Sequence, residues 1–254
     1  MNENIDTLGM RINGVEFKVR QSDFAHAFAD SESILGSGDA AKLVFIDQCG
    51  VDNVTEDVFR ILTSAPACDF LFFMSSSFLY RFRDHPAIKQ KIERPDDYYH
   101  IHRQVLEYYR EMLPHGKDFY LSPFSIKKGA NIYGLIFGSA HPLGMDKFLQ
   151  VAWKQDANNG EANFDISREN IGPGELTLFA PNKIIAFEAE LEDLLRSGSI
   201  KNEADVIRLC FNHGVTRQRS APILAKLKKE KVISLNFRVP DINRLKSPKS
   251  ICLL

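Results

Sequence analysis

The sequence predicts an α/β protein in which a sheet begins parallel and ends in an antiparallel hairpin, with a small basic helical domain behind it. Two uninterrupted apolar runs, at 42–47 and 70–74, flank a helix-length segment. That is the spacing of a βαβ unit whose strands are buried on both faces. Two further extended runs, at 119–126 and 132–138, are joined by only five residues, 127–131. So short a connection holds no crossover helix, so this pair is antiparallel. The third observation is charge: residues 183–254 hold 14 Lys and Arg against 8 Asp and Glu, whereas residues 1–182 hold 18 against 25. The basic half is the one suited to polyanions.

Element by element, the alternation of Val15-Glu16-Phe17-Lys18-Val19 predicts a strand, and Ser22 is a candidate N-cap for a helix through Phe24, Phe28 and Ile34 that ends at Gly36-Ser37-Gly38-Asp39. After the first buried strand, a helix is predicted over 55–63, with Val58, Phe59 and Leu62 on one side. A helix over 98–113 presents Ile101, Val105, Tyr108 and Tyr109 on one face, and another covers 145–153. Gly172-Pro173-Gly174 and Pro181-Asn182 bracket the exit from the first domain, which divides the chain into 1–182 and 183–254. The second part reads helix (183–195), helix (202–212), turn, helix (216–230, capped by Thr216) and strand (232–239). This is the order of a winged helix-turn-helix.

At 254 residues, 44% hydrophobic and 26% charged, the chain has the composition of a globular protein rather than a disordered or fibrous one. No run reaches the 18 apolar residues of a membrane span, and residues 1–8 lack the basic and apolar regions of a secretory signal, so a cytoplasmic location without membrane partners is expected. Cys49, Cys68, Cys210 and Cys252 lie far apart without CxxC spacing, which argues for reduced thiols and against a zinc site or redox pair. No metal is expected.

Several segments carry a family resemblance: Val44-Phe45-Ile46-Asp47-Gln48-Cys49-Gly50, Leu71-Phe72-Phe73-Met74-Ser75-Ser76-Ser77-Phe78, His100-Ile101-His102-Arg103, the run from Asn131 through Gly138-Ser139-Ala140-His141-Pro142-Leu143-Gly144, and Trp153-Lys154 with Asn159-Gly160-Glu161-Ala162-Asn163. Together they resemble the three-Cys-motif partner (TcmP) proteins over about residues 42–166. The resemblance implies a Rossmann-like, class I methyltransferase-like domain, often followed by a winged helix. It also implies S-adenosylmethionine as the cofactor and a three-cysteine-motif, radical-enzyme-like protein as the partner. The chain departs from the family where the cofactor should sit. No G-x-G-x-x-G follows a strand, and Asp47 lies only 46 residues in, as though the cofactor-cradling half were missing. Ligands of doubly wound sheets bind where strand order reverses, so both sides of that point are needed. A missing first strand would also leave a sheet edge unpaired, which invites homodimerisation, partner binding or instability.

The candidate catalytic residues are Asp47 and Gln48, placed where amino-methyltransferases hold an acid or amide that orients a target amine. Cys49 replaces the expected aromatic, and an acid at a strand's end also serves as a turn or cap residue. Asp23 could bind an adenine amino group, or cap the helix it precedes. His100 and His102, two apart on a helix, point about 200° from each other and cannot share a metal, so solvated or capping roles are expected. His141 is a single loop histidine expected only to hydrogen bond. In the basic domain, Thr216, Arg217, Gln218 and Arg219 open the third helix with side chains that read base edges and grip phosphates, and Lys228 and Lys229 extend the charge. The sequence therefore leads to a methyltransferase-derived, TcmP-like protein expected to work with a partner on nucleic acid and to be inactive alone. The alternative is a non-catalytic partner- and DNA-binding module with a degenerate Rossmann domain.

Overall fold

The structure, a computed structural model, describes residues 21–47, 54–89, 100–113, 118–163, 166 and 183–254. The strand expected at 15–19, the candidate Gln48 and the breaks at 172–174 and 181–182 lie outside the described residues.

The α/β reading holds, with a mixed four-stranded sheet in the order β1-β2-β4-β3. Helix α1 (Phe24–Gly36) starts at Asp23 rather than Ser22, because the Asp23 carboxylate accepts the His26 amide at 3.0 Å. It leads to β1 (Lys42–Asp47), then α2 (Glu56–Ser64), whose Thr55 hydroxyl accepts the Val58 amide at 3.3 Å and whose first turn carries Glu56 and Asp57 toward the positive end of the helix dipole. Strand β2 (Cys68–Ser75) lies parallel to β1, completing the expected βαβ unit. Helices α3 (Ser76–Arg81), α4 (Pro86–Lys89) and α5 (Ile101–Glu111) follow. Strands β3 (Tyr120–Lys128) and β4 (Asn131–Ser139) form the predicted hairpin, and β4 inserts antiparallel between β2 and β3.

The period of two along β2 divides its side chains between two cores. Phe70, Phe72 and Met74 face α1, α2, α3 and α5, where Phe28, Phe59, Leu62, Leu79, Ile101, Val105 and Tyr109 are buried with them. Tyr109 donates its hydroxyl to the Val54 carbonyl at 2.7 Å, so its one polar atom is satisfied in that core. On the other face, helix α6 (Pro142–Gln155) covers the hairpin, with Phe148 stacked on Phe137 at 4.5 Å between centroids. The part of that face over β1 carries no such cover, a correction to the strand expected to be buried on both faces: Leu43 is 73% exposed and Phe45 59%. Among the described residues, the outer edge of β1 also has no strand partner.

The C-terminal module consists of α7 (Lys183–Arg196), α8 (Glu203–Asn212), a 3-10 turn (Arg217–Ser220), α9 (Ala221–Lys229) and a two-stranded sheet of β5 (Ile233–Ser234) and β6 (Cys252–Leu253). Thr216 makes no side-chain cap, a correction to the single helix expected from it. Pro222, which lacks an N–H and has a helical φ, sets the α-helical start later, in the first turn of α9. The strand expected over 232–239 shortens to two residues, because the chain beyond Ser234 is held by side chains instead of a ladder. Lys228 Nζ donates to the Leu235 carbonyl at 3.0 Å and Arg217 Nη1 to that of Pro240 at 2.8 Å. The module shares its core with the sheet: Tyr120, Phe137, Met145, Leu149 and Trp153 are buried together with Phe187, Leu191, Ile207, Phe211 and Leu227. Among the described residues, no helix is long and apolar enough to cross a membrane.

Candidate functional site

In open α/β sheets, ligands bind beyond the carboxyl ends of the strands. Here that end presents Asp47, exposed at the last position of β1, and a run of serines at the end of β2. The Ser75 hydroxyl caps α3 by accepting the Phe78 amide at 3.2 Å, and Ser77 Oγ lies 3.4 Å from Asn131 Oδ1 at the start of β4. The Ser76 hydroxyl is buried without a hydrogen-bond partner among the described residues.

Asp23 lines an open cleft of about 430 Å³ between the first turns of α1 and α2, floored by Phe24, Phe28, Val58 and Ile61 and rimmed by Asp23, Glu32 and Asp57. The Asp23 carboxylate is already committed there. Besides the His26 amide it meets His26 Nδ1 at 2.6 Å, and the two bonds to His26 hold its pKa below the ordinary carboxylate value. Of its two sequence readings, the cap is the one the structure displays.

The most constrained polar cluster centres on Glu161, a residue the sequence reasoning did not single out. Its carboxylate is fully buried. Oε2 meets His102 Nε2 at 3.0 Å and accepts the Ser125 amide at 3.1 Å and the Ser125 hydroxyl. Oε1 accepts from Arg103 Nη2 at 2.9 Å and from Lys183 Nζ at 3.0 Å. One carboxylate thus ties together α5, β3 and the first residue of α7. Burial alone would raise its pKa, but Lys183, His102 and Arg103 together hold it well below the usual range. Burial pushes the His102 imidazole the other way, below its ordinary value and toward the neutral form, against the pull of Glu161.

His102 therefore corrects the solvated or capping role expected for it. It is buried over the glycine of β4, where a Cβ on Gly134 would sit 2.6 Å from its own Cβ. A signal was present: positions 102, 105, 106 and 109 recur at helical spacing, and all are buried on one stripe of α5. His141 behaves as expected, its Nδ1 accepting the Leu143 amide at 3.2 Å to cap α6. Among the described residues, no group of three or more His, Cys, Asp or Glu could hold a metal ion.

The residues expected to contact nucleic acid divide sharply. Arg217 points inward, its Nε 3.1 Å from Oδ1 of Asp146, a carboxylate only 2% exposed on α6. The Arg219 guanidinium lies 4.9 Å from the centroid of Trp153 and donates to the Ala157 carbonyl at 3.2 Å. Trp153 itself donates to the Gly214 carbonyl at 2.9 Å. Both arginines thus fasten the module to the first domain instead of facing solvent. Gln218, Lys228 and Lys229 are exposed, and Thr216 is half-buried. Comparison of the chain with family models, with curated proteins and with solved structures finds no match.

Proposed function

We propose that this chain is a methyltransferase-derived, TcmP-like protein that completes its working site with a partner polypeptide, and that its C-terminal module, of winged-helix type, anchors the assembly on nucleic acid. The observation that carries the reading is the first strand. Strand β1 delivers the Asp47 carboxylate to the ligand-binding end of a sheet that finishes in an antiparallel hairpin, while its outer edge is unpaired among the described residues and Leu43 and Phe45 stay exposed beside it. A β1 edge unpaired among the described residues offers one wall of a methyltransferase-like crevice and a strand on which a second chain could supply the other.

One observation favours the non-catalytic alternative, a partner-binding module with a degenerate Rossmann domain. The carboxylate at Asp23, a candidate for the adenine, is spent on capping α1. Calorimetric titration of the purified chain with S-adenosylmethionine tests the dependence on a partner. A folded chain that binds none alone is the expected result, because no G-x-G-x-x-G follows a strand in this sequence. Binding in the micromolar range that disappears in Asp47→Ala would overturn the dependence on a partner and establish an autonomous cofactor site.

A further inference from the structure

The positive charge of the C-terminal module is confined to one stretch. Residues 183–225 contain six Lys and Arg against six Asp and Glu, and residues 226–249 contain eight against two. The structure places this second stretch in the last turn of α9 and the long loop between β5 and β6.

Some of these cations are already committed. Lys226 Nζ lies 2.8 Å from Glu192 Oε2, and Arg244 Nε lies 3.4 Å from Asp241 Oδ2. Lys228 bonds a carbonyl rather than a carboxylate. Lys229, Lys231, Arg238 and Lys246 are exposed with no acidic partner among the described residues. The loop that carries Arg238 and Lys246 is tied down in advance. Lys228 holds it at Leu235 and Arg217 at Pro240, and the fully buried Glu203 carboxylate accepts the amides of Asp241 at 3.1 Å and Lys249 at 2.9 Å. Phe237 packs into the core between the first two ties. Little ordering is then left for a ligand to impose.

We infer that the last turn of α9 and the β5–β6 loop form a face that grips the phosphate backbone of duplex nucleic acid without reading its bases. The inference rests on the nucleic-acid half of the proposed function and relocates its contact. The side chains able to read guanine edges from the start of the third helix, Arg217 and Arg219, are turned into the protein. What remains outside is mostly lysine, a point charge suited to phosphate rather than a planar fork suited to bases. A duplex fits better than a lipid surface because no large apolar side chain between 226 and 249 is exposed, although Leu253 and Leu254 are exposed nearby on and beyond β6.

The test is fluorescence anisotropy of the full chain, without cofactor or partner, against three labelled duplexes of unrelated sequence between 50 and 200 mM salt. Contact with about four phosphates predicts an affinity loss on the order of 100-fold across that range, with all three duplexes bound within threefold of one another. Lys229→Glu, Lys231→Glu and Arg238→Glu together should weaken binding at least tenfold while leaving the thermal midpoint unchanged. Arg219→Ala, which removes the contacts with Trp153 and Ala157 and leaves every tie of the loop in place, should lower the midpoint and leave the affinity within twofold. Equal binding by the charge-reversed protein, a preference above tenfold for one duplex, or tighter binding to phosphatidylserine vesicles than to any duplex would each overturn the inference. Because S-adenosylmethionine plays no part, its failure to bind would leave this result standing, and the reverse also holds.

Discussion

The Glu161 carboxylate satisfies five donors or partners with its two oxygens, and two of the groups it meets carry full charge. Removing one side of a buried ion pair costs more than the pair contributes, because the remaining charges stay desolvated. Glu161→Gln, which keeps the shape and loses the charge, should lower the urea-unfolding free energy by roughly 3–5 kcal/mol. A loss below about 1 kcal/mol would put the cluster in the class of surface pairs. The same site sets a pH dependence. Burial holds the folded pKa of His102 below the ordinary imidazole value, so as pH falls the unfolded chain takes up this proton first and stability declines. Glu161, depressed below 4.5, keeps its stabilising effect above that value and loses it only at lower pH. Stability should therefore fall as the pH drops from 7.5 to 5.0. His102→Gln should flatten that limb specifically, and an unchanged slope would show that the imidazole is not buried neutral. Glu161 was illegible in the sequence for a physical reason. It sits in an irregular loop without periodicity, and its partners lie 59, 58, 36 and 22 residues away.

Local regularity decided which elements the sequence revealed. The β1 run and the hairpin follow from an uninterrupted apolar stretch and from connection length, and the helix at 55–63 follows from apolar side chains on one side. Asn202 and Asp205 form a reciprocal capping box at the start of α8. Failure came where a tertiary contact outbid local preference. Residues 216–230 read as one helix, yet Arg217 bridges Asp146 and Pro240, and the chain there tightens into a 3-10 turn before Pro222 starts α9. The same contact shortens the last predicted strand, since residue 240 is held by a guanidinium and not by a ladder. Arg217→Ala should strand the buried Asp146 carboxylate and release one tie of the β5–β6 loop, at a cost of roughly 3–5 kcal/mol. Hydrogen exchange should show faster exchange confined to residues 236–249 and the N-terminal part of α6 around Asp146. Protection unchanged in both places would mean that the loop is held by Lys228, Glu203 and Phe237 without Arg217.

At the scale of the molecule, the boundary at residue 182 separates stretches of sequence but not cores. Five large side chains from the first part, Tyr120, Phe137, Met145, Leu149 and Trp153, are buried in one cluster with side chains of α7, α8 and α9, and Trp153, Lys183 and Glu161 meet at that seam. Gly160 is part of the same fit: its φ of 66° lies in the left-handed region, and a Cβ there would come within 2.6 Å of the Trp153 ring. Each side chain returned to water would forfeit about 1.5–3 kcal/mol, a combined loss comparable to the whole stability of a typical domain. Residues 1–182 produced alone should therefore bind a hydrophobic dye and self-associate, through this exposed face as well as through Leu43 and Phe45. The intact chain should unfold in one transition. Its single tryptophan, Trp153 at the seam, reports the junction by fluorescence, while far-ultraviolet circular dichroism reports all the helices. Coincident midpoints are expected from a shared core. A fluorescence transition well before the dichroism change would show that the module detaches first and that the two parts fold as separate units, joined by Arg217, Arg219 and Lys183 as a latch rather than by a common interior.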